Sequence, residues 1–156
     1  MIRALSFLSF LSLALLAAPA LAQTNGSTTG AAAPPTLTVP PASTGHGVYS
    51  EDQAARGKTA FEMYCASCHA PSDYAGEQFR MNWFGRKVSD LFRTLKTTMP
   101  EDNIGGLADD EYTRVIAYIL KLNGFPPGKD SLASDSTLMR GIRIGPADSS
   151  AKSPER

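Results

Sequence analysis

Cys65-Ala66-Ser67-Cys68-His69 constrains this 156-residue chain more than any other stretch, because it holds the only two cysteines and one of the two histidines. Two thiols at this spacing lie about one helical turn apart, with an imidazole on the very next residue. Four chemistries are open to such a group. A structural disulfide would close a very short loop and remove little entropy from the unfolded chain. A thioredoxin-like redox dithiol needs a βαβ setting. Zinc could take Cys65, Cys68 and His69, but a fourth ligand would have to come from His46 or a carboxylate, and adjacent Cys and His fit one tetrahedron poorly. The fourth chemistry is attachment of a larger group.

The start of the chain sets the compartment in which that choice is made. Met1-Ile2-Arg3 is a short positive start, Ala4 to Ala18 is an apolar run interrupted only by serines, and Pro19-Ala20-Leu21-Ala22 closes it with small residues. This pattern reads as a secretory signal peptide cut after Ala22. The run is shorter than the roughly 20 residues that a bilayer span needs. The expected location is therefore the periplasm, with no membrane span after cleavage. Charge is balanced at 15 basic and 15 acidic residues, which excludes a nucleic-acid binder of the usual basic type. Residues 23–46 are rich in Ala, Thr, Pro and Gly and are expected to be a flexible tether. Residues 47–144 then make one domain, followed by a disordered tail over 145–156. A domain of that size often recruits a disulfide, a metal or a cofactor.

Within the domain the periodicity is helical. Ser50-Glu51-Asp52-Gln53 has the form of a capping box, and Ala54, Gly57, Phe61, Tyr64, Cys65 and Cys68 follow at helical spacings. The face that packs inward should deliver both cysteines to the core. Gly57 in mid-helix costs about 1 kcal/mol relative to Ala, which points to a close helix crossing. A second helix is expected over 89–97, with Val88, Leu91, Phe92 and Leu95 apolar, ending before Met99-Pro100. The third carries Tyr112, Val115, Ile116, Ile119 and Leu120 on one face, Asp109, Asp110 and Glu111 in its first turn, and Gly124 with Pro126-Pro127 as its stop. No alternating strand pattern of useful length occurs, so the class is all-α.

In that setting the fourth chemistry explains the spacing best. Cys-x-x-Cys-His is the short signature of covalent c-type haem attachment. Thiols one turn apart match the two vinyl groups on one side of a porphyrin, and the following histidine places an imidazole under the iron. A sixth ligand is then needed. His46 reads as a solvated tether residue, Met1 leaves with the leader, and Met63 sits too near the cysteines to reach the other face. Met81, Met99 and Met139 remain, each otherwise a core or surface residue. Met99 is favoured because it lies between two helices beside Pro100. A thioether opposite an imidazole favours ferrous iron and raises the potential. It also fills the position that a substrate would need.

Gly57-Lys58-x-x-Phe61-x-x-x-Cys65-x-x-Cys68-His69, Met99-Pro100 and Leu107-x-x-x-Glu111-Tyr112-x-x-Val115-Ile116-Ala117-Tyr118-Ile119-Leu120, in this order, resemble a class I cytochrome c. Tyr49, Gln53, Ala54 and Gly57, Trp83 ahead of the central helix, and Asn123 to Pro126 are similar to the small periplasmic cytochromes c that accompany quinoprotein dehydrogenases. The resemblance implies the cytochrome c fold, three main helices around one covalent haem c. It implies thioethers at Cys65 and Cys68, His69 as proximal iron ligand and Met99 as distal ligand. It also implies that Gly57 and Phe61 meet Val115, Tyr118 and Ile119, and that Trp83 and Arg86 contact a haem propionate. Two departures stand out. Ala70-Pro71 follows the haem histidine where many relatives have Gly and a later Gly-Pro, which leaves open what accepts a hydrogen bond from His69. Ala108 stands where Ser or Thr usually caps the last helix, so that helix should start on Asp109.

The function expected is that of a single-electron carrier rather than an enzyme, taking electrons from a dehydrogenase or quinol-oxidising partner to an oxidase or another cytochrome. Three rivals remain. One is a haem enzyme or gas-binding sensor with a labile Met99, and another is a haem-free module built on Cys65 and Cys68. The third is a cytochrome subunit of a dehydrogenase complex, with the tether and Leu138 to Ile144 as contact elements.

Overall fold

The computed structural model describes residues 43–147. The expected leader, tether residues 23–42 and tail residues 148–156 lie outside the described residues.

Five helices follow in order: α1 (Glu51–Tyr64), α2 (Gly76–Trp83), α3 (Val88–Thr98), α4 (Asp109–Leu122) and α5 (Ser136–Gly141). Short 3-10 turns sit at Thr44–His46, Pro71–Tyr74 and Glu101–Asn103. Among the described residues there are no strands, only isolated bridges such as Ser43 with Arg143. The fold is all-α, as its periodicity requires.

The core is the crossing of α1 and α4. Ser50 caps α1 by accepting from the Gln53 N–H at 3.2 Å. A Cβ on Gly57 would lie 1.8 Å from the Arg114 carbonyl oxygen, so only glycine lets the two backbones approach this closely. Next to it the Phe61 and Tyr118 rings meet with centroids 5.6 Å apart. α4 begins at Asp109 with Ala108 as an N-cap that offers no side-chain bond, and its acidic first turn favours the helix end instead.

The segment after α4 is tied back to the start of α1. The Tyr49 hydroxyl donates to the Phe125 carbonyl at 2.6 Å. Gln53 makes a reciprocal pair with the Leu132 backbone, donating to its carbonyl at 2.9 Å and accepting from its N–H at 2.8 Å.

Four expectations change. First, α2 and α5 were not foreseen; each buries a single side chain, Phe79 and Met139 respectively, too little to set a legible period. Second, α1 stops at Tyr64. Cys65 is its C-cap, and the N–H groups of Cys68 and His69 both bond the Cys65 carbonyl, so the second thiol lies in a turn rather than on the buried helix face.

Third, the domain reaches beyond 47–144 at both ends. Ser43 and Thr44 are buried, Thr44 Oγ1 donates to the Gly145 carbonyl at 3.1 Å, and the Gly45 N–H bonds the same oxygen at 3.0 Å. The Thr44 hydroxyl and backbone groups satisfied by one another stand here in place of apolar burial, although the buried Ser43 hydroxyl has no partner among the described residues, and composition alone reveals none of this. Fourth, Leu138 to Ile144 is not a free contact element. Met139, Ile142 and Ile144 are buried in this chain's own core, and only Leu138 is largely exposed among its apolar side chains.

Candidate functional site

One cavity of about 540 Å³ collects most of the residues singled out by the motif reading. Its walls come from the end of α1 (Phe61, Met63, Tyr64), the turn with Cys65, Cys68 and His69, Leu95 of α3, the loop at Met99, and Tyr112, Val115 and Ile119 of α4. The helix crossing that requires Gly57 thus also sets where the cysteine turn and the Met99 loop stand.

Cys65 and Cys68 are not joined to each other, and they differ in environment. Cys65 is half-buried at the α1 terminus and Cys68 is exposed. Burial pushes the Cys65 thiol above its ordinary pKa. Among the described residues, no group of three or more His, Cys, Asp and Glu side chains comes together to hold a metal ion. His46, the proposed extra zinc ligand, is exposed and does not line the cavity.

His69 is packed against Tyr74, with ring centroids 5.4 Å apart at 72°. Tyr74 also meets Phe61 edge-on at 5.8 Å. Among the described residues the His69 ring makes no hydrogen bond, so its contact with the fold is this aromatic one. Asp73 instead accepts from the Ala70 N–H at 2.9 Å and closes the short turn after the histidine.

Tyr74 is itself held from a distance. The Asn123 amide donates to the Tyr74 carbonyl and to the Ile119 carbonyl, both at 2.8 Å, while its oxygen accepts from the Gly76 N–H at 3.0 Å. One side chain at the end of α4 therefore clasps the turn that supports His69.

The methionines separate cleanly. Met139 is 0% exposed in the core and Met81 is 69% exposed on the surface, and neither lines the cavity. Met63 does line it, but on the same wall as the cysteines. Met99 lines it from the loop between α3 and α4. The Met99 carbonyl accepts from the Tyr112 hydroxyl at 2.7 Å, and Lys96 pairs with Asp109 at 2.5 Å across the base of the same loop.

Trp83 and Arg86 do not join the site. Neither lines the cavity, and the Arg86 guanidinium stacks on the Trp83 ring at 4.6 Å from its centroid. The Trp83 ring, which the resemblance assigned to a propionate, takes part here in a cation–π pair. Tyr74 was missed by the motif reading, which named Tyr112 and Asn123 without giving either a part in the site. Tyr112 was legible only as a core position, although a buried tyrosine hydroxyl always raises the question of its partner.

Residues 52–119 match the family model described as cytochrome C oxidase, cbb3-type, subunit III. No curated protein and no solved structure matches the chain. The matched span contains nearly all of α1, the cysteine turn, Met99 and most of α4, and is consistent with a class I c-type cytochrome. Such a domain carries covalently bound haem c with iron, and Cys65 and Cys68 fit its attachment motif. The cavity fits that group on its own terms. Its volume lies within the roughly 300–1,000 Å³ range of cofactor sites. Its donors are two thiols, an imidazole and a thioether, held in a wall of apolar and aromatic side chains. Glu101 and Asp102 are the carboxylate side chains lining it.

Proposed function

We propose that this class I c-type cytochrome domain is a periplasmic single-electron carrier. Cys65 and Cys68 would hold haem c as thioethers, with His69 and Met99 on its iron. When bound, the haem supplies a one-electron ferric/ferrous couple. The observation that carries this reading is that His69 and Met99 line the same cavity as the attachment thiols, from two different segments of the chain.

Each residue contributes in its own way. His69 is steadied by Tyr74, and Met99 by its backbone bond to Tyr112. Phe61, Leu95, Val115 and Ile119 give the cavity a dry, low-dielectric wall, which favours the less charged ferrous state. With His69 and Met99 both holding the iron, no place on it would be left for a substrate, so the chain would move electrons without making or breaking substrate bonds. The donor would be a dehydrogenase or quinol-oxidising protein and the acceptor an oxidase or another cytochrome. Among the described residues no helix is long and apolar enough to cross a membrane.

The matched family's description names an oxidase subunit, which supports a second reading in which the chain works as a component of a larger redox complex. Co-purification from native membranes would separate the two. The primary test is an alkaline pyridine spectrum, followed by a redox titration, of protein matured in a host with haem-attachment machinery. The expected result is one haem c per chain with a single reversible one-electron wave. Protein with no haem c would overturn the proposal.

A further inference from the structure

We propose that Tyr112 is a positioning residue for Met99, its buried hydroxyl holding the Met99 loop in the arrangement in which Met99 lines the cavity. The inference rests on the reading of Met99 as an iron ligand and goes one step further, to what keeps it in place.

Apart from the Lys96–Asp109 pair across its base, the loop has little else to hold it. Residues 101–106 are all exposed, so burial does not fix them. Pro100 has no N–H to donate. The other backbone hydrogen bonds beyond Met99 are local: Asn103 N–H to the Pro100 carbonyl, Gly106 N–H to the Asn103 carbonyl, and a long 3.4 Å bond from the Gly105 N–H to the Met99 carbonyl. These shape the loop without tying it to the body. Among the described residues, the Tyr112 hydroxyl makes the one hydrogen bond from α4 to a backbone group of this loop.

Tyr112 is suited to that task. It is 2% exposed, and its ring meets Phe92 of α3 edge-on at 6.0 Å and 80°, so the hydroxyl stands in a fixed position. The bond reaches the carbonyl of Met99 itself, and a shift of the loop would leave the phenol's buried hydroxyl unpaired, at a cost in free energy. Tyr112 therefore favours the closed loop over any arrangement in which Met99 has left.

An exogenous ligand that enters only when Met99 leaves reads that balance, because its apparent affinity scales with the population of the open state. In the ferric holoprotein, Tyr112→Phe keeps the ring and removes only the oxygen. Imidazole titrated into this variant should bind roughly two- to ten-fold tighter than in the wild type, the range a single neutral hydrogen bond corresponds to. Tyr118→Phe, which removes a hydroxyl from the same helix at its crossing with α1, should leave the affinity unchanged.

A second measurement works without any change of affinity. Met99 is the only methionine followed by proline, so with ¹³C-carbonyl methionine and ¹⁵N-proline its carbonyl alone is bonded to ¹⁵N and is picked out by that coupling. In the reduced protein that resonance should move upfield in Tyr112→Phe and stay in place in Tyr118→Phe.

If Tyr112→Phe binds imidazole as the wild type does and its labelled carbonyl does not move, the positioning role is wrong while Met99 ligation stands. If imidazole binds the wild type without disturbing any thioether-to-iron absorption, Met99 is not the ligand and both readings fall.

Discussion

At the scale of single residues, Gly57 shows how a cost in the sequence becomes a requirement in the structure. A Cβ there would overlap the Arg114 carbonyl at 1.8 Å and crowd the Tyr118 Cβ at 3.1 Å. Gly57→Ala must therefore push α1 away from α4, and since both helices wall the cavity the damage reaches the site. We expect a loss of about 3 kcal/mol in chemical denaturation, at the upper end of ordinary overpacking. A variant as stable as the wild type would show that the crossing can relax. Cys65, Cys68, His69, Met99 and Gly57 could be singled out in the sequence because their residue chemistry or conformational cost is local, and the structure brings the first four to one cavity and Gly57 to the helix crossing. The contacts of Tyr74, Tyr112 and Asn123 could not be read there, because they depend on partners elsewhere in the chain: the bond from Asn123 to Tyr74 spans 49 residues. Trp83 and Arg86, expected at a propionate, lie outside the cavity lining. Their residue types suit a propionate, but they lie close enough along the chain to satisfy each other.

At the scale of elements, length decided what could be read. α1 and α4 have 14 residues each and α3 has 11, enough for a period of 3.6 to declare itself. α2 and α5 have eight and six, and each leans on its surroundings rather than on an amphipathic face. α5 depends on its cap: Asp135 accepts from the N–H groups of Thr137 and Leu138, at 2.6 and 3.2 Å. Those bonds hold the Asp135 carboxyl below its ordinary pKa. The folded value is then lower than the unfolded one, so the charge on the cap stabilises above about pH 4 and that contribution is lost as pH falls through the folded value. Denaturation of wild type and Asp135→Asn at a series of pH values should show the wild type ahead near neutrality and the difference vanishing in strong acid. A difference that is constant with pH would mean that the carboxylate charge contributes nothing.

At the scale of the molecule, the turn carrying Cys65, Cys68 and His69, the Met99 loop, Tyr74 and Tyr112 meet at one cavity because α1 and α4 cross where glycine permits. Ser43 to Gly45 and Arg143 to Gly145 bond one another and run beside Arg86 and Val88, and none of them lines the cavity. Composition pointed to a tether and a tail at these positions, because a backbone satisfied by another backbone leaves no mark on either sequence. The central claim is that His69 and Met99 hold the iron from opposite segments of this body. It is tested most directly by the near-infrared absorption that a thioether on ferric iron produces, compared between the wild-type holoprotein and Met99→Ala together with their reduction potentials. The account predicts the band in the wild type, its loss in Met99→Ala, and a markedly lower potential in the variant. A Met99→Ala protein with an unchanged spectrum and an unchanged potential would contradict it.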